Sequence, residues 1–385
     1  MQIFKKPNFT FMKFKFIAFS LSGILILVGI LNITSKGLNY GIDFAGGTLI
    51  QIRFNTRFPI VELRQSLSNA GLGNSKIQEV EKGEREFMIR TMLPEEEIDQ
   101  ELEAHEIMGN KVIEVLKTEK DRLALKNGLK DINNVDASEL TYVIETSFPD
   151  EAREIAEKII KQRESKELKG IIENFDQLVK EGINQEVIKL LKEKTFLGSL
   201  TIKRRETVGP QVGHDLRQKA AQATIWALIG MLIYIGIRFK FAYGVSAILT
   251  LAHDVLITIG ILSFTNREIN LPVIAAILTI VGYSLNDTIV VFDRVRDNLK
   301  ILRKHDFQDI LDTSINQTIS RTVITSGTTF LTVSALFFFG GEVINDFAFT
   351  MMIGVIIGTY SSIYQSCPLL FFWNKIFKPK KGMRK

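Results

Sequence analysis

Two carboxylates interrupt runs of apolar sequence long enough to cross a membrane. Asp254 follows His253 within residues 243–264, with Thr250 and Thr258 one turn to either side, and Asp287 follows Asn286 within residues 271–292, after Thr279, Gly282 and Tyr283. An ionisable group in a bilayer interior costs about 2.5 to 3.5 kcal/mol on insertion scales, so such residues point to the binding or movement of ions. Spacings of three and four place each set on one helix face. A third charge, Arg321, opens the run 322–340, and Thr325, Thr328, Thr329 and Thr332 continue its face. The last run offers Thr350, Gly354, Gly358, Ser361, Ser362 and Gln365, small and polar residues that let helices approach closely.

A carboxyl group in a low-dielectric bundle favours its protonated form, whereas a nearby guanidinium favours the ionised one. A group balanced between the two can exchange H⁺ or bind Na⁺, and residue types alone leave both ions open. Moving one charge through the membrane potential is worth about 2.3 kcal/mol per 100 mV, enough to bias a two-state bundle. The expected ion-coupling set is therefore Asp287, Arg321 and Asp254, with Asn286, Tyr283, Thr325, Thr328 and His253 as a supporting polar seam. The bland alternatives are a basic interfacial anchor at Arg321 and threonines that serve only packing. The four histidines are scattered and no Ser-His-Asp or metal-ligand spacing stands out, so no catalytic or metal-binding residue and no cofactor beyond the coupling ion is expected. A single cysteine, Cys367, forbids an intrachain disulfide.

The elements that must hold these residues are six apolar runs, at 14–33, 220–238, 243–264, 271–292, 322–340 and 347–373. Each can span a hydrocarbon core of about 30 Å. A chain of 385 residues that is 46% hydrophobic and 24% charged fits separate apolar and polar territories. Lys5, Lys6, Lys13 and Lys15 precede the first run as in a signal peptide, but the absence of an Ala-x-Ala pattern after Leu31 and the five later runs favour an uncleaved anchor. Basic residues gather in the tail 1–13, around Arg238 and Lys240, in the connection 293–321 and in the tail 374–385. The positive-inside rule then puts both termini in the cytoplasm and residues 34–215 outside it, with lipid rather than nucleic acid accounting for a net charge of +5.

That outer segment begins as a small α/β unit. Alternation at Leu49 to Phe54 predicts a strand, Pro59 to Ala70 a helix, and Lys76 to Glu81 and Arg85 to Thr91 two strands about a turn at Lys82-Gly83-Glu84. Residues 94–194 are rich in Glu, Lys, Ile and Leu at helical spacing and predict three or four amphipathic helices, with breaks near Asn127-Gly128, Pro149-Asp150 and Gly182. A strand at Gly198 to Val208 leads back to the membrane. Pairing of the first and last parts in one sheet would make 94–194 a helical insertion.

Several motifs resemble the SecD/SecF family of protein-export membrane proteins, within the resistance-nodulation-division superfamily. They are Gly41-Ile42-Asp43-Phe44-Ala45-Gly46-Gly47-Thr48 after the first run, Val208-Gly209-Pro210-Gln211-Val212-Gly213 before the second, Ala252-His253-Asp254, Val281 to Thr288 with Phe292-Asp293-Arg294, and Ser320-Arg321-Thr322. The resemblance singles out Gly41, Asp43, Gly46 and Gly47 and then Gly209, Pro210 and Gly213 as family positions. It implies a six-helix half of a resistance-nodulation-division bundle with an α+β, ferredoxin-like outer domain, in the cell inner membrane. It also implies a SecD partner, work with SecYEG and YajC on unfolded preproteins, and ion coupling at Asp287 and Arg321 without nucleotide hydrolysis. The insertion at 94–194 departs from the shorter outer domain usual in the family. A stand-alone exporter of lipids or small molecules and a non-conducting scaffold of the translocase are the competing readings.

Overall fold

The computed structural model describes residues 7–81, 83, 85–91, 101–165, 167–180, 182–341 and 344–377. The expected turn residues Lys82 and Glu84, the start of the insertion at Pro94 and the tail beyond Phe377 lie outside the described residues. The chain forms two units, one of Met1–Asp43 with Asp215–Lys385 and one of Phe44–His214.

In the first unit, six helical stretches among the described residues are long and apolar enough to cross a membrane. They are Phe11–Lys36, Pro210–Arg238, Phe241–Phe264, Leu271–Ile301, Phe307–Phe339 and Asn345–Phe377, here spans 1 to 6. The connection expected at 293–321 is mostly helix, because span 4 continues to Ile301 and span 5 starts at Phe307. Hydropathy misses these turns because they are amphipathic: Val295, Leu311 and Ile315 are buried while Arg294 and Lys300 face outward. Asn298 Nδ2 joins the two extensions, donating to Ser314 Oγ at 2.9 Å and Gln317 Oε1 at 2.8 Å.

Residues 7–13 are likewise no free tail. Phe11 and Met12 are buried in the same core as Phe292, Leu311 and Ile315. The Asn316 side chain accepts from Phe9 N at 2.9 Å and donates to Phe9 O at 2.8 Å, and Asp312 Oδ1 accepts from Met12 N at 2.9 Å.

Span 6 is two helices, Asn345–Tyr364 and Ser366–Phe377, rather than one. Pro368 explains the break, since it has no N–H to offer the Tyr364 carbonyl four residues back and its ring crowds that carbonyl. Small residues set the closest crossings. A side-chain carbon on Gly29 of span 1 would lie 2.9 Å from Gly260 Cα of span 3, and Gly354 of span 6 packs directly on Ile280 of span 4. This is small-residue packing, with backbones in near contact.

The second unit is built on strands β1 (Gly47–Phe54), β2 (Lys76–Glu81), β3 (Glu86–Thr91) and β4 (Leu200–Val208), with helix α1 (Ile60–Asn69) after β1 and α2 (Glu101–Leu116) after β3. The sheet order is β2-β3-β1-β4 with every neighbouring pair antiparallel, the split βαβ arrangement of ferredoxin-like folds. Ile50, Ile52 and Phe54 alternate onto one face and meet Leu63 and Leu67 of α1 and Val112, Ile113 and Leu116 of α2. Helix α2 thus belongs to the sheet's own core, and the expected insertion at 94–194 begins later than its composition suggests. Composition cannot separate a helix that covers a sheet from one that covers another helix.

Five further helices follow, α3 (Glu119–Lys126), α4 (Ala137–Glu145), α5 (Ala152–Arg163), α6 (Asp176–Lys180) and α7 (Gln185–Lys194). The last four enclose a separate core that includes Leu140, Ile144, Ile159, Leu178 and Leu191. The loop 131–135 stitches it to the sheet. Asn134 Oδ1 accepts from Ile202 N at 2.9 Å and Asn134 Nδ2 donates to Leu200 O at 2.8 Å, so one side chain pairs with edge strand β4 as a neighbouring strand would.

Candidate functional site

Asp254 is fully buried in span 3 and collects donors from three neighbours. Its Oδ1 lies 2.8 Å from His253 Nδ1, and its Oδ2 accepts from Ser284 Oγ of span 4 and, at 2.8 Å, from Ser361 Oγ of span 6. Gly358 is what lets Ser284 come so near, since a side-chain carbon there would stand 3.1 Å from Ser284 Cβ. The network continues through the imidazole: His253 Nε2 is 2.8 Å from Ser22 Oγ of span 1. Ser22 Oγ also accepts from Gln365 Nε2 at 2.7 Å and lies 3.2 Å from Tyr360 Oη, whose hydrogen goes to Ala18 O at 2.9 Å. Gln365 reaches this point because it occupies the break in span 6. Four helices are therefore joined by one chain of polar contacts.

Asp287 stands differently. It is also buried, yet its only hydrogen-bond partner among the described residues is Ser326 Oγ of span 5, at a long 3.5 Å. Two neighbours on span 4, Tyr283 Oη and Thr288 Oγ1, are buried with no partner among the described residues. Each such group costs about 1 to 3 kcal/mol of desolvation, so span 4 holds a carboxyl in surroundings that stabilise its charge poorly. No ion pair joins Arg321 to Asp287 among the described residues. Arg321 is exposed and lines a cleft of about 800 Å³ with Arg294, Asp309, Asp312 and Asn316, beside residues 7–10.

The expected polar seam divides. His253 and Tyr283 turn into the bundle, Thr325 is half-buried, and Asn286 and Thr328 are exposed. Thr325 and Thr328 each donate to a carbonyl of their own helix, at Arg321 O and Ile324 O, both 3.0 Å. Asn286 and Thr328 are therefore corrected from seam to surface: Thr328 satisfies its hydroxyl on its own helix, and Asn286, one residue before Asp287, is turned about 100° away from it. With Thr279 and Gly282 of span 4 and Gly327 and Thr332 of span 5, they leave small and polar outward faces within hydrophobic spans.

Residues 41–48 and 208–213 have structural roles. Gly41 N donates to Ile269 O at 2.9 Å, and the Asp43 carboxylate accepts from Leu271 N at 2.9 Å at the start of span 4, a favourable place for negative charge. Gly46 and Gly47 both take positive φ, +72° and +120°, where the chain enters β1. Gly209 O accepts from Gly213 N at 2.9 Å in the first turn of span 2, with Pro210 at its start. Ser22 and Tyr360 went unnoticed in the sequence. Ser22 lies with Ala18 and Gly29 on the buried small-residue stripe of span 1, which packing reveals and the sequence does not.

The description "Protein export membrane protein SecD/SecF, C-terminal" matches residues 187–376, and "SecD/SecF GG Motif" matches residues 33–56. Proteins called protein translocase subunit SecF are similar throughout. Those of Koribacter versatilis and Desulfurispirillum indicum are 37% and 36% identical, over 96% and 94% of this chain and 93% and 91% of their own. The crystal structure of SecDF from Thermus thermophilus, a translocon-associated membrane protein, aligns with a TM-score of 0.65 at 31% identity over 96% of this chain. The chain spans 39% of that longer protein. With about a third of its residues shared along nearly its whole length, the chain belongs to the SecD/SecF family of protein-export membrane proteins.

Proposed function

We propose that the chain is a subunit of the Sec protein translocase that, with a SecD partner, uses the transmembrane ion gradient to promote late stages of preprotein export. The observation that carries the coupling reading is the state of Asp287, buried at mid-span with one long hydrogen bond and no ion pair among the described residues. A static scaffold would favour a closed Asp287–Arg321 pair. A carboxyl left unpaired is instead ready to gain or lose a charge, and Arg321 responds from the cleft beside the first half of span 5. The coupling ion is H⁺ or Na⁺.

The partner reading rests on the outward faces of spans 4 and 5. Thr279, Gly282, Asn286, Thr328 and Thr332 suit a second helix bundle better than lipid, because small and polar residues pack against helices. SecDF, of which this chain matches 39%, is the natural template for a second six-helix half. By the positive-inside rule both termini are cytoplasmic in the inner membrane and residues 34–215 lie outside; the chain works with SecYEG, alongside YajC.

Replacing Asp287 by Asn tests the coupling reading. Export into inverted membrane vesicles under an imposed ion gradient should fall to the level seen without that gradient, while co-purification with SecD is retained. Gradient-stimulated export at the wild-type rate would overturn it. Imposing H⁺ and Na⁺ gradients separately identifies the ion.

A further inference from the structure

The hydrogen bonds around Ser22 can be counted in two protonation states. With neutral His253, Nδ1–H donates to Asp254 Oδ1 and Nε2 accepts from the Ser22 hydroxyl, whose oxygen accepts from Gln365 Nε2. With the imidazolium, Nε2–H donates to Ser22 Oγ instead, and the Ser22 hydrogen turns to Tyr360 Oη, 3.2 Å away. Tyr360 accepts it without losing its own bond to Ala18 O. No donor or acceptor is stranded in either state, so neither carries the cost of an unmatched buried group.

We propose that His253, Asp254 and Ser22 form a proton-binding site separate from Asp287, in which His253 Nε2 takes the proton and the reorientation of Ser22 passes the change to span 1. Asp254 is the standing counter-charge, held by Ser284 and Ser361 so that its Oδ1 remains free for the imidazole. Three donors already occupy most of the carboxylate's acceptor positions, so a proton fits where a metal cation would have to displace protein hydrogen bonds. Histidine is also the side chain whose ordinary pKa lies nearest physiological pH.

The groups facing the pair are few. Span 1 contributes Ser22, span 4 contributes Ser284 with Tyr283 and Asp287 farther along the helix, and span 6 contributes Ser361, Tyr360 and Gln365, with Tyr364 stacked on Tyr360 at 5.6 Å. No lysine, arginine or second carboxylate bonds to His253 or Asp254 among the described residues. Span 1 is thereby tied to a charge that sits on span 3, a connection the Asp287 reading does not use.

The test is nitrogen NMR of the full chain in lipid nanodiscs with ¹⁵N-labelled histidine, assigning His253 by its loss in His253→Gln. As pH falls from 9 to 5, Nε2 should change from acceptor to N–H while Nδ1 stays protonated. Ser22→Ala, which removes the acceptor of the new N–H, should weaken that proton's binding about tenfold. Asp287→Asn should change it by less than threefold. A His253 signal that keeps one protonation state across the range, or that titrates identically without the Ser22 hydroxyl, would sink the proposal. So would loss of the transition in Asp287→Asn, which would make the two sites one. Because the readout needs no export, its failure leaves the Asp287 reading standing.

Discussion

Gly46 lies directly against Pro210: a side-chain carbon on the glycine would stand 2.9 Å from Pro210 Cα. Residues from the two ends of the outer unit meet there, and β1 pairs with β4 immediately beyond, Gly47 opposite Val208. Gly46→Ala should therefore suffer twice, from its positive φ and from the backbone it strikes, at a cost on the order of 2 to 3 kcal/mol. Gly71 has a similar φ of +79° but open space around it, so Gly71→Ala should cost about 1 kcal/mol. Thermal unfolding of the full chain in detergent, read by protease resistance of residues 44–214, separates them. Equal losses would mean that the contact with Pro210 is unimportant.

Asn316 should hold the N-terminal segment by both halves of its amide. Asn316→Ala removes two hydrogen bonds to Phe9 that are worth about 0.5 to 1.5 kcal/mol each. Amide exchange over residues 9–14 should quicken by roughly tenfold or more while residues 44–214 are unaffected. Unchanged protection would assign the anchoring to buried Phe11 and Met12 alone.

Asp131 should give the outer unit a pH dependence of unusual sign. Burial, with a smaller push from Asp121, raises its carboxyl above the ordinary 3.8, against the hydrogen bonds from Asn134, Asn133 N and Gly198 N. The folded state then keeps a proton that the unfolded chain has released, so this residue's contribution to stability falls as pH climbs from 3.8 towards the folded value, and is level above it. The stability difference between wild type and Asp131→Asn, followed by urea unfolding across that range, should decline with rising pH. A difference that grows would show the carboxylate to be better stabilised folded than unfolded.

The six spans and both membrane aspartates were legible because long apolar runs and charges within them need no tertiary information. The sheet was legible too, since Ile50, Ile52 and Phe54 alternate and Pro59 opens a helix. What sequence hid was partnership. Ser22 and His253 are 231 positions apart and bond at 2.8 Å, and a serine in an apolar helix is too ordinary to announce such a contact. The helical ends 293–301 and 307–321 were hidden for another reason: their buried face includes Asn298, Ser314, Asn316 and Thr318 beside Val295, Leu311 and Ile315, so averaging over a window dilutes the apolar signal. Asn286 and Asp287 are adjacent, yet 100° apart on the helix, which is why one turns inward and the other outward.

The crossing of Gly29 and Gly260 sets how motion can pass between spans 1 and 3. Where two main chains touch with no side chain between them, nothing interlocks, and sliding along the common axis meets no rotamer barrier. Separating them sideways, by contrast, opens a gap that neither helix can fill. The crossing thus fixes how near the two main chains come, and the lengthwise register of span 1 is held instead by Ser22, about 10 Å further along it, through its bonds to His253 and Gln365.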